Sequence, residues 1–406
     1  MPNVVFVAPF LMDATLRFVD AAAQLPGVRL ALVSQEPADK LPQALRRHVA
    51  AHAQVADGTS STDILAGIRQ LAPQLGSVDR VLGTLEQLQV QLAEVRTALG
   101  LPGMSVEAAQ NFRDKSRMKT LLQAANLPCA RHRLVAEVRA GLDFAATVGF
   151  PIVVKPPAGA GARNTFRVDA LEALQRALEA MSLSPDSPTL LEEFITGQEH
   201  SFDSVFVRGQ LVWYSVSRYF PTPLEVLHNP WIQWVVMLPR EIDSPHYTDI
   251  RTAAARSLTV LGLETGLTHM EWFRRRDGSV AISEVAARPP GAQFTTLLSY
   301  AHDTDMYRAW AHLMVYDEFT PPARVYATGA AYLRGQGTGR VRAIHGLEQV
   351  QHEVGSLIVE SKLPGPGQSP TGTYEGEGYL IVRHPETAVV EEALRRIVSV
   401  VRVELS

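Results

Sequence analysis

Two glutamates flank a predicted hairpin turn in the segment EWFRRRDGSVAISE, which covers residues 271–284. Asp277 and Gly278 lie between two apolar runs, and an Asp-Gly pair is typical of a two-residue type I′ turn, which needs positive φ at both positions. If these two residues form the loop, counting outward along the two strands places Glu271 directly opposite Glu284. Their Cβ atoms would then lie about 4.5–5.5 Å apart on one face of the sheet.

Opposed carboxylates of this kind destabilise a sheet, and burial would push one of them toward its protonated form. A divalent cation held between them removes the repulsion, and hard carboxylate oxygens are ligands that Mg²⁺ prefers. The alternative is an exposed hairpin with two solvated glutamates. The neighbouring Trp272, Phe273 and Ile282 favour a buried hairpin, since both strand faces then carry apolar side chains.

A second candidate region is the loop PPAGAGARN at residues 156–164, which follows an apolar strand predicted over residues 151–155. Glycines let the backbone approach phosphate oxygens closely, and Lys155 supplies a point charge at the start of the loop. The chain contains neither a G-x-x-x-x-G-K-[ST] loop nor a G-x-G-x-x-G turn after its first strand, which excludes two common nucleotide-binding motifs. The alternative is a plain flexible loop.

Three further charged residues lie where a nucleotide could use them. Lys115 begins a predicted helix that Asp114 can cap, a place where the helix dipole slightly disfavours a cation. Glu192 and Glu199 lie in the strand–turn–strand segment LEEFITGQEHSFDSV. The alternatives are a surface lysine for Lys115 and solvated carboxylates for the two glutamates.

Taken in their order along the chain, these motifs resemble those of the ATP-grasp superfamily, and most closely those of its branch of carboxylate–amine ligases. The resemblance covers roughly residues 80–320. The resemblance rests on five segments: NFRDK at 111–115, VVK at 153–155 with AGAGARN after it, LEEFITGQE at 191–199, HMEW at 269–272 and SEVAARPPG at 283–291. It implies an ATP-grasp fold with an N-terminal α/β (pre-ATP-grasp) domain, a lid subdomain and a C-terminal β-rich segment. It also implies that the nucleotide is ATP.

The resemblance implies a role for each candidate around ATP. Four residues would serve the triphosphate: Lys115 and Lys155 as phosphate ligands, and Gly159 and Gly161 as part of a lid loop. Three would serve adenosine: the Glu192 carboxylate for the adenine amino group, the Ile195 backbone for a ring nitrogen and Glu199 for the ribose hydroxyls. Lys155 would also reach toward the adenine side, and it is one of two residues that we predict to be catalytic.

The other predicted catalytic residue is Arg288, which would stabilise the transferring phosphoryl group, while Glu271 and Glu284 would hold Mg²⁺ or Mn²⁺. Many members of the superfamily carry an asparagine two residues after the second glutamate as a further metal ligand, whereas this chain has Ala286, which cannot ligate. Whether one or two metal ions bind is therefore left open. His269 is expected to face Ala286 and could fill the gap or touch substrate; a packed structural histidine is the alternative.

The sequence gives little information about the identity of the substrate. The segments that often shape the acceptor site in this family contain Arg218, His228, Trp231, Trp234, Gln293 and Thr295. We predict Arg218, His269 and Gln293 as substrate contacts. Arg218 could pair with a carboxylate, and the two tryptophans could line a pocket for an apolar side chain. Ordinary packing or a surface position is the alternative for each.

The elements that must position these residues follow from the hydrophobic pattern. Apolar runs at 3–10 and 28–34 around a helix near 13–24 predict a βαβ start, and hairpin signals dominate later, so the expected fold class is α/β followed by α+β. We predict four segments: an N-terminal α/β domain (1–105), a central ATP-grasp part with the lid subdomain (106–195), a catalytic core (196–320) and a C-terminal α+β domain (321–406).

The composition of the chain argues against several classes of protein, namely nucleic-acid-binding, membrane-spanning and secreted proteins. A net charge of −4 over 406 residues gives no basic field for nucleic acid or an anionic membrane. The single cysteine, Cys129, cannot form an internal disulfide, which fits a reducing cytoplasm. There is no apolar run long enough for a membrane span, and the N-terminal segment lacks the basic start of a signal peptide.

The sequence thus predicts a cytoplasmic, ATP-dependent ligase that phosphorylates a carboxylate and couples the acyl group to an amine. The expected partners are these two small molecules, and homodimer formation is left open. Two other hypotheses remain. One is a bicarbonate-activating carboxylase, whose lid usually has a longer glycine run than AGAGARN. The other is a non-catalytic nucleotide-binding module, in which Ala286 marks decay of the metal site.

Overall fold

The computed structural model describes residues 1–159, 164–229 and 232–406. Within these ranges, none of the helices is both long and apolar enough to cross a lipid bilayer. The described residues form four sheets, two of which enclose the cavity considered below.

The N-terminal sheet is parallel and matches the predicted βαβ start. Its strands are β1 (Asn3–Val7), β2 (Arg29–Ser34), β3 (Val49–Gln54) and β4 (Arg80–Leu82), and its helices are α1 (Asp13–Ala23), α2 (Gln43–Arg46), α3 (Ser61–Leu75) and α4 (Gln89–Leu99). The strand order is β3-β2-β1-β4. Val4, Val5, Phe6 and Val7 are fully buried because helices cover both faces of the sheet.

Two consecutive helices lead from this domain to the next, α5 (Val106–Arg113) and α6 (Lys115–Ala124). Asp114 caps α6, and its carboxylate accepts hydrogen bonds from two backbone N–H groups of the first turn. The cap fixes the residue at which α6 begins and therefore the direction in which Lys115 points.

A small antiparallel sheet carries the glycine-rich loop. Its strands are β5 (His132–Val135), β6 (Ile152–Lys155), β7 (Phe166–Val168) and β8 (Thr189–Glu193), and its helices are α7 (Val138–Val148) and α8 (Leu171–Ala180). The strand order is β5-β8-β6-β7. Side chains alternate along a strand, so Val154 and Leu191 pack against the two helices while Lys155 and Glu192 lie on the other face.

The remaining elements form a large antiparallel sheet and a short three-stranded one. The strands are β9 (Gly197–Val207), β10 (Gln210–Phe220), β11 (Trp234–Leu238), β12 (Gly266–Arg275), β13 (Val280–Ala286), β14 (Ala327–Leu333), β15 (Gly335–Gly337), β16 (Val341–His345), β17 (Ile358–Lys362), β18 (Gly378–His384) and β19 (Arg402–Leu405). The helices are α9 (Pro223–His228), α10 (Thr248–Val260), α11 (Phe294–His302), α12 (Met306–Tyr316), α13 (Leu347–Val354) and α14 (Thr387–Val400).

The large sheet runs across the division that we predict at residue 320. Its order is β13-β12-β9-β10-β11-β14-β18-β17, so three strands of the C-terminal segment continue the sheet of the core. Only β15, β19 and β16 form a separate sheet in the described part of this segment. The predicted class, α/β followed by α+β, is confirmed, and the C-terminal segment completes the core sheet.

Candidate active site

A cavity of about 630 Å³ lies between the small sheet and the large sheet. Charged side chains from three places in the fold line it: Lys115 on α6, Lys155 and Glu192 on the small sheet, and Glu271 and Glu284 on β12 and β13. Ligand sites are concave and place a few polar groups at fixed points, so this cavity is the candidate site.

The turn of the β12–β13 hairpin differs from the prediction. The Arg275 N–H donates to the Ser279 carbonyl at 2.8 Å, which makes the loop three residues long instead of two. Only Gly278, with φ of 84°, has positive φ in this loop, whereas a type I′ turn needs two such residues. The geometry fits a three-residue loop that closes on a residue with positive φ. The predicted two-residue type I′ turn is therefore wrong.

The predicted pairing of the two glutamates is nevertheless confirmed, because a second irregularity compensates for the first. Glu271 faces Glu284, whereas the next residue, Trp272, faces Ile282, so a β-bulge leaves Ser283 without a partner on β12. A bulge inserts one residue into one strand and shifts the register beyond it. The longer loop and the bulge cancel, which returns Glu271 and Glu284 to opposite positions.

Glu284 forms a close ion pair, and Glu271 lies 3.9 Å from the His269 Nε2. The Lys115 Nζ lies 2.7 Å from the Glu284 Oε1. Burial alone would raise the pKa of Glu284, but the ammonium groups of Lys115 and Lys155 bring it below its ordinary value. The pKa of Glu271 is raised, first by burial and then by the Glu284 carboxylate. Burial and the facing carboxylate therefore both disfavour the charged form of Glu271.

This donor set fits a divalent cation. Glu271 and Glu284 offer hard oxygen atoms from opposed positions, and a cation relieves the repulsion that raises the pKa of Glu271. No group of three or more His, Cys, Asp or Glu side chains suited to a metal occurs among the described residues. Further ligands would therefore have to come from phosphate oxygens and water, as is usual for Mg²⁺. The metal-ligand assignment of the two glutamates stays a prediction.

At the other end of the cavity, around Glu192, ammonium groups outnumber carboxylates. Glu192 Oε1 lies 2.9 Å from the Lys155 Nζ and 3.5 Å from the Lys119 Nζ. Burial raises the pKa of Glu192, and the two ammonium groups lower it further than burial raises it. The sequence analysis missed Lys119. It lies four residues after Lys115 and so on the same side of α6, which is a signal that the sequence contains.

Three other predicted nucleotide contacts line the same cavity: Gly159, Ile195 and Glu199. The Gly159 carbonyl accepts hydrogen bonds from the side chains of Arg113 and Lys115, both at 3.1 Å. Burial, and then the nearby Glu271 carboxylate, raises the pKa of Glu199 well above its ordinary value. Gly161, the second predicted lid glycine, lies outside the described residues.

Arg288 and His269 line the cavity and are each held by an acidic residue that the sequence analysis missed. The Arg288 Nε lies 2.6 Å from the Oε2 of Glu86, a residue in the segment that follows β4. The His269 Nδ1 lies 2.6 Å from the fully buried Asp203 Oδ1, and its Nε2 lies 3.9 Å from Glu271. His269 faces Ala286, as the hairpin count predicts.

Two predicted substrate residues do not line the cavity. Arg218 contacts the hydroxyl of Tyr247 at 3.0 Å, while its neighbour Tyr219 faces the cavity, since adjacent strand residues point to opposite faces. Gln293 precedes α11 with φ of 59° and accepts a hydrogen bond from Thr296 Oγ1 at 3.0 Å. Both residues have partners outside the cavity, so their predicted substrate contacts gain no support from this geometry.

A group of aromatic rings forms another part of the cavity lining. Four residues from distant parts of the sequence supply them: Tyr219, Trp234, Phe294 and Tyr374. Trp234 stacks on Tyr332 with ring centroids 4.8 Å apart, and Tyr374 lies edge-on to Trp234 at the same distance. The cavity lining therefore combines charged side chains with a group of packed aromatic rings.

Comparison with known proteins gives a family for the central part of the chain. Residues 120–302 match the family model of the ATP-grasp domain. The chain is 23% identical over 277 residues to the L-arginine-specific L-amino acid ligase of Bacillus subtilis. This match covers 67% of the chain and 66% of that relative, slightly less than two thirds of its length.

Solved structures share the architecture over the whole chain. An L-amino acid ligase from Bacillus licheniformis superposes with a TM-score of 0.79 at 17% identity, covering 100% of this chain and 99% of that one. An N5-carboxyaminoimidazole ribonucleotide synthetase from Thermotoga maritima gives a TM-score of 0.72 at 16% identity, with both chains fully covered. At such identities the likeness shows the fold, and the predicted ATP-grasp fold is confirmed.

Proposed function

Since this chain contains an ATP-grasp domain, we propose that it is an ATP-dependent ligase that phosphorylates a substrate carboxylate and couples the acyl-phosphate to an amine. One observation carries the proposal. The opposed carboxylates of Glu271 and Glu284 lie in the same cavity as the Glu192–Lys155 ion pair, so a nucleotide can contact both ends at once. The relative that is named as an L-arginine-specific L-amino acid ligase supports the choice of an amine as acceptor.

The residues at the Glu192 end bind adenosine. The Glu192 carboxylate is kept ionised by Lys155 and Lys119 and accepts a hydrogen bond from the adenine amino group. The Ile195 backbone and the Glu199 carboxyl group border the same part of the cavity and serve the ring and the ribose. Lys155 ends β6 at the start of the glycine-rich loop, so its ammonium group also reaches the phosphates.

The residues at the hairpin end act on the triphosphate. Glu271 and Glu284 would hold a divalent cation, Mg²⁺ or Mn²⁺, which supplies charge neutralisation of the phosphate oxygens when it is bound. Lys115 contacts both the hairpin, through Glu284, and the first part of the glycine-rich loop, through the Gly159 carbonyl. Its ammonium group is therefore placed to bind phosphate oxygens between these two segments.

The reaction takes place between the hairpin and the aromatic rings. A substrate carboxylate oxygen attacks the γ-phosphorus in line and ADP leaves, while Arg288 stabilises the charge on the transferring group. The amine then attacks the acyl carbon, and phosphate leaves to give an amide. The aromatic side chains exclude water from the acyl-phosphate, which would otherwise hydrolyse.

Phosphate release, screened with ATP across amino acid pairs and other carboxylates, tests this function. We expect release only when both a carboxylate and an amine are present, with an amide as product. Release that depends on bicarbonate would favour a carboxylase instead. The absence of release with every substrate, from protein that binds ATP, would favour a nucleotide-binding module.

A further inference from the structure

Lys119 is a lysine whose side chain has no exposed surface, and burial lowers its pKa although the Glu192 carboxylate opposes this. It lies on α6 beneath the cavity and is absent from the cavity lining, unlike Lys115 one turn earlier. A buried ammonium group is costly unless its hydrogen-bonding capacity is met, so its partners indicate why a lysine occupies this position.

The partners of Lys119 come from two different sheets. Its Nζ donates to the Ser283 carbonyl at 2.7 Å and lies 3.5 Å from Glu192 Oε1. Ser283 belongs to β13 of the large sheet, and Glu192 belongs to β8 of the small sheet. One ammonium group therefore connects the two sheets that enclose the cavity.

The β-bulge explains why the Ser283 carbonyl is available. Ser283 is the extra residue of the bulge and has no pairing partner on β12. A bulged residue leaves the regular ladder of hydrogen bonds, so its backbone groups need other partners. Lys119 supplies one of them and thereby holds the backbone immediately before Glu284.

We propose that Lys119 is a positioning residue that fixes the Glu192 carboxylate relative to Glu284. Lys119 would thereby fix the position of the nucleobase site relative to the triphosphate site. This inference rests on the proposed role of Glu192 in binding adenine. Lys119 does not touch ATP; it holds Glu192 from behind while Lys155 holds the same oxygen from the cavity side. Selection of adenine over guanine should therefore depend on Lys119.

The test is equilibrium binding of ATP and GTP to the full chain and to Lys119→Met, measured by calorimetry. Methionine has a similar length and shape but no charge, so the substitution removes both contacts without leaving a large cavity. We expect the preference for ATP over GTP to fall about tenfold, as befits one charged hydrogen bond that is no longer aligned. An unchanged preference would overturn the proposal, as would a wild-type protein that binds both nucleotides equally well.

Met118→Ala is the matched control. Met118 precedes Lys119 on α6 and is fully buried in an apolar cluster, so its truncation loosens the same helix without touching Glu192. We expect this variant to melt earlier but to keep the wild-type preference for ATP. An equal loss of preference in Met118→Ala would show that Lys119 acts only through general stability and would overturn the proposal.

A double-mutant cycle with Glu192→Gln tests whether Lys119 acts through Glu192. If it does, Lys119→Met should change the nucleotide preference little once Glu192 is already glutamine. If Lys119→Met does not fold, Lys119→Gln, which is also uncharged but keeps a donor for the Ser283 carbonyl, takes the same measurement. Independent effects of the two substitutions would overturn the proposal. Because binding is measured, the result does not depend on ligase turnover, whose absence would instead count against the proposed function.

Discussion

The two ends of the cavity have opposite charge balances. At the Glu192 end, one carboxylate lies between two ammonium groups, at 2.9 and 3.5 Å. At the hairpin end, two carboxylates face each other, and the ammonium group of Lys115 lies 2.7 Å from one of them, Glu284. The pKa of Glu192 is lowered by its lysines, whereas that of Glu271 is raised by burial and by Glu284.

This difference is the basis for proposing that the hairpin end takes a cation from solution. The Glu192 carboxylate is already balanced by the protein and can accept hydrogen bonds from a neutral base. At the hairpin end, burial and the facing carboxylate both disfavour the charged form of Glu271, and a divalent cation would offset both effects. The two ends should therefore respond differently to metal removal and to substitution.

Removal of divalent cations with a chelator should have the largest effect. We expect ATP-dependent phosphate release to fall to background, because the Glu271–Glu284 end would lose the cation that neutralises the triphosphate. Adenosine lacks phosphates and should bind with unchanged affinity, measured by calorimetry with and without chelator. A parallel loss of adenosine affinity would contradict the division of the cavity into two ends.

Glu284→Ala should lower turnover of ATP at least about 10³-fold, since several kcal/mol of phosphate stabilisation depend on this carboxylate. Glu284 is partly exposed and lies opposite another carboxylate, so its removal should cost little folding stability. Phosphate release measures the first effect and thermal melting the second. Full ATP consumption by Glu284→Ala would make the metal assignment wrong.

Glu86→Gln should have a smaller effect, confined to chemistry. Arg288 would lose the carboxylate that orients it at 2.6 Å, and a misplaced catalytic group can lower the rate about 10²-fold. Affinity for ATP should change little, because Glu86 does not line the cavity. Steady-state kinetics should therefore show a lower kcat with a similar KM for ATP; a change in KM alone would contradict the orienting role.

The sequence predicted the facing glutamates correctly although the local structure between them was predicted wrongly. The Asp277–Gly278 pair gave the right position for the hairpin, and the loop was one residue longer than expected. Only the bulge at Ser283 restored the pairing of Glu271 with Glu284. Bulges depend on the surroundings of a strand, here the contact of Lys119 with the Ser283 carbonyl, and cannot be derived from alternation along the strand itself.

The partner of Arg288 could not be predicted from the sequence for a different reason. Glu86 and Arg288 are 202 positions apart, and no local pattern connects the segment after β4 with the end of β13. The same holds for the aromatic rings of Tyr219 and Tyr374, which line one cavity only once the C-terminal segment joins the large sheet. Lys119, in contrast, could have been found from its spacing to Lys115 on a capped helix.

Arg218→Met should have the smallest effect on turnover. It tests whether the face of β10 that points away from the cavity takes part in substrate binding. The Arg218 guanidinium contacts the hydroxyl of Tyr247, which is buried, so its loss should cost about 1 kcal/mol of folding stability. Turnover of the folded protein should stay within about twofold of wild type, the range expected for a residue outside a binding cavity.

Tyr219→Leu, one position along the same strand, is the matched comparison. Because Tyr219 lines the cavity, this variant should raise the KM for the carboxylate or the amine. A strong loss of carboxylate affinity in Arg218→Met, with Tyr219→Leu unaffected, would mean that the substrate approaches β10 from the face opposite the cavity.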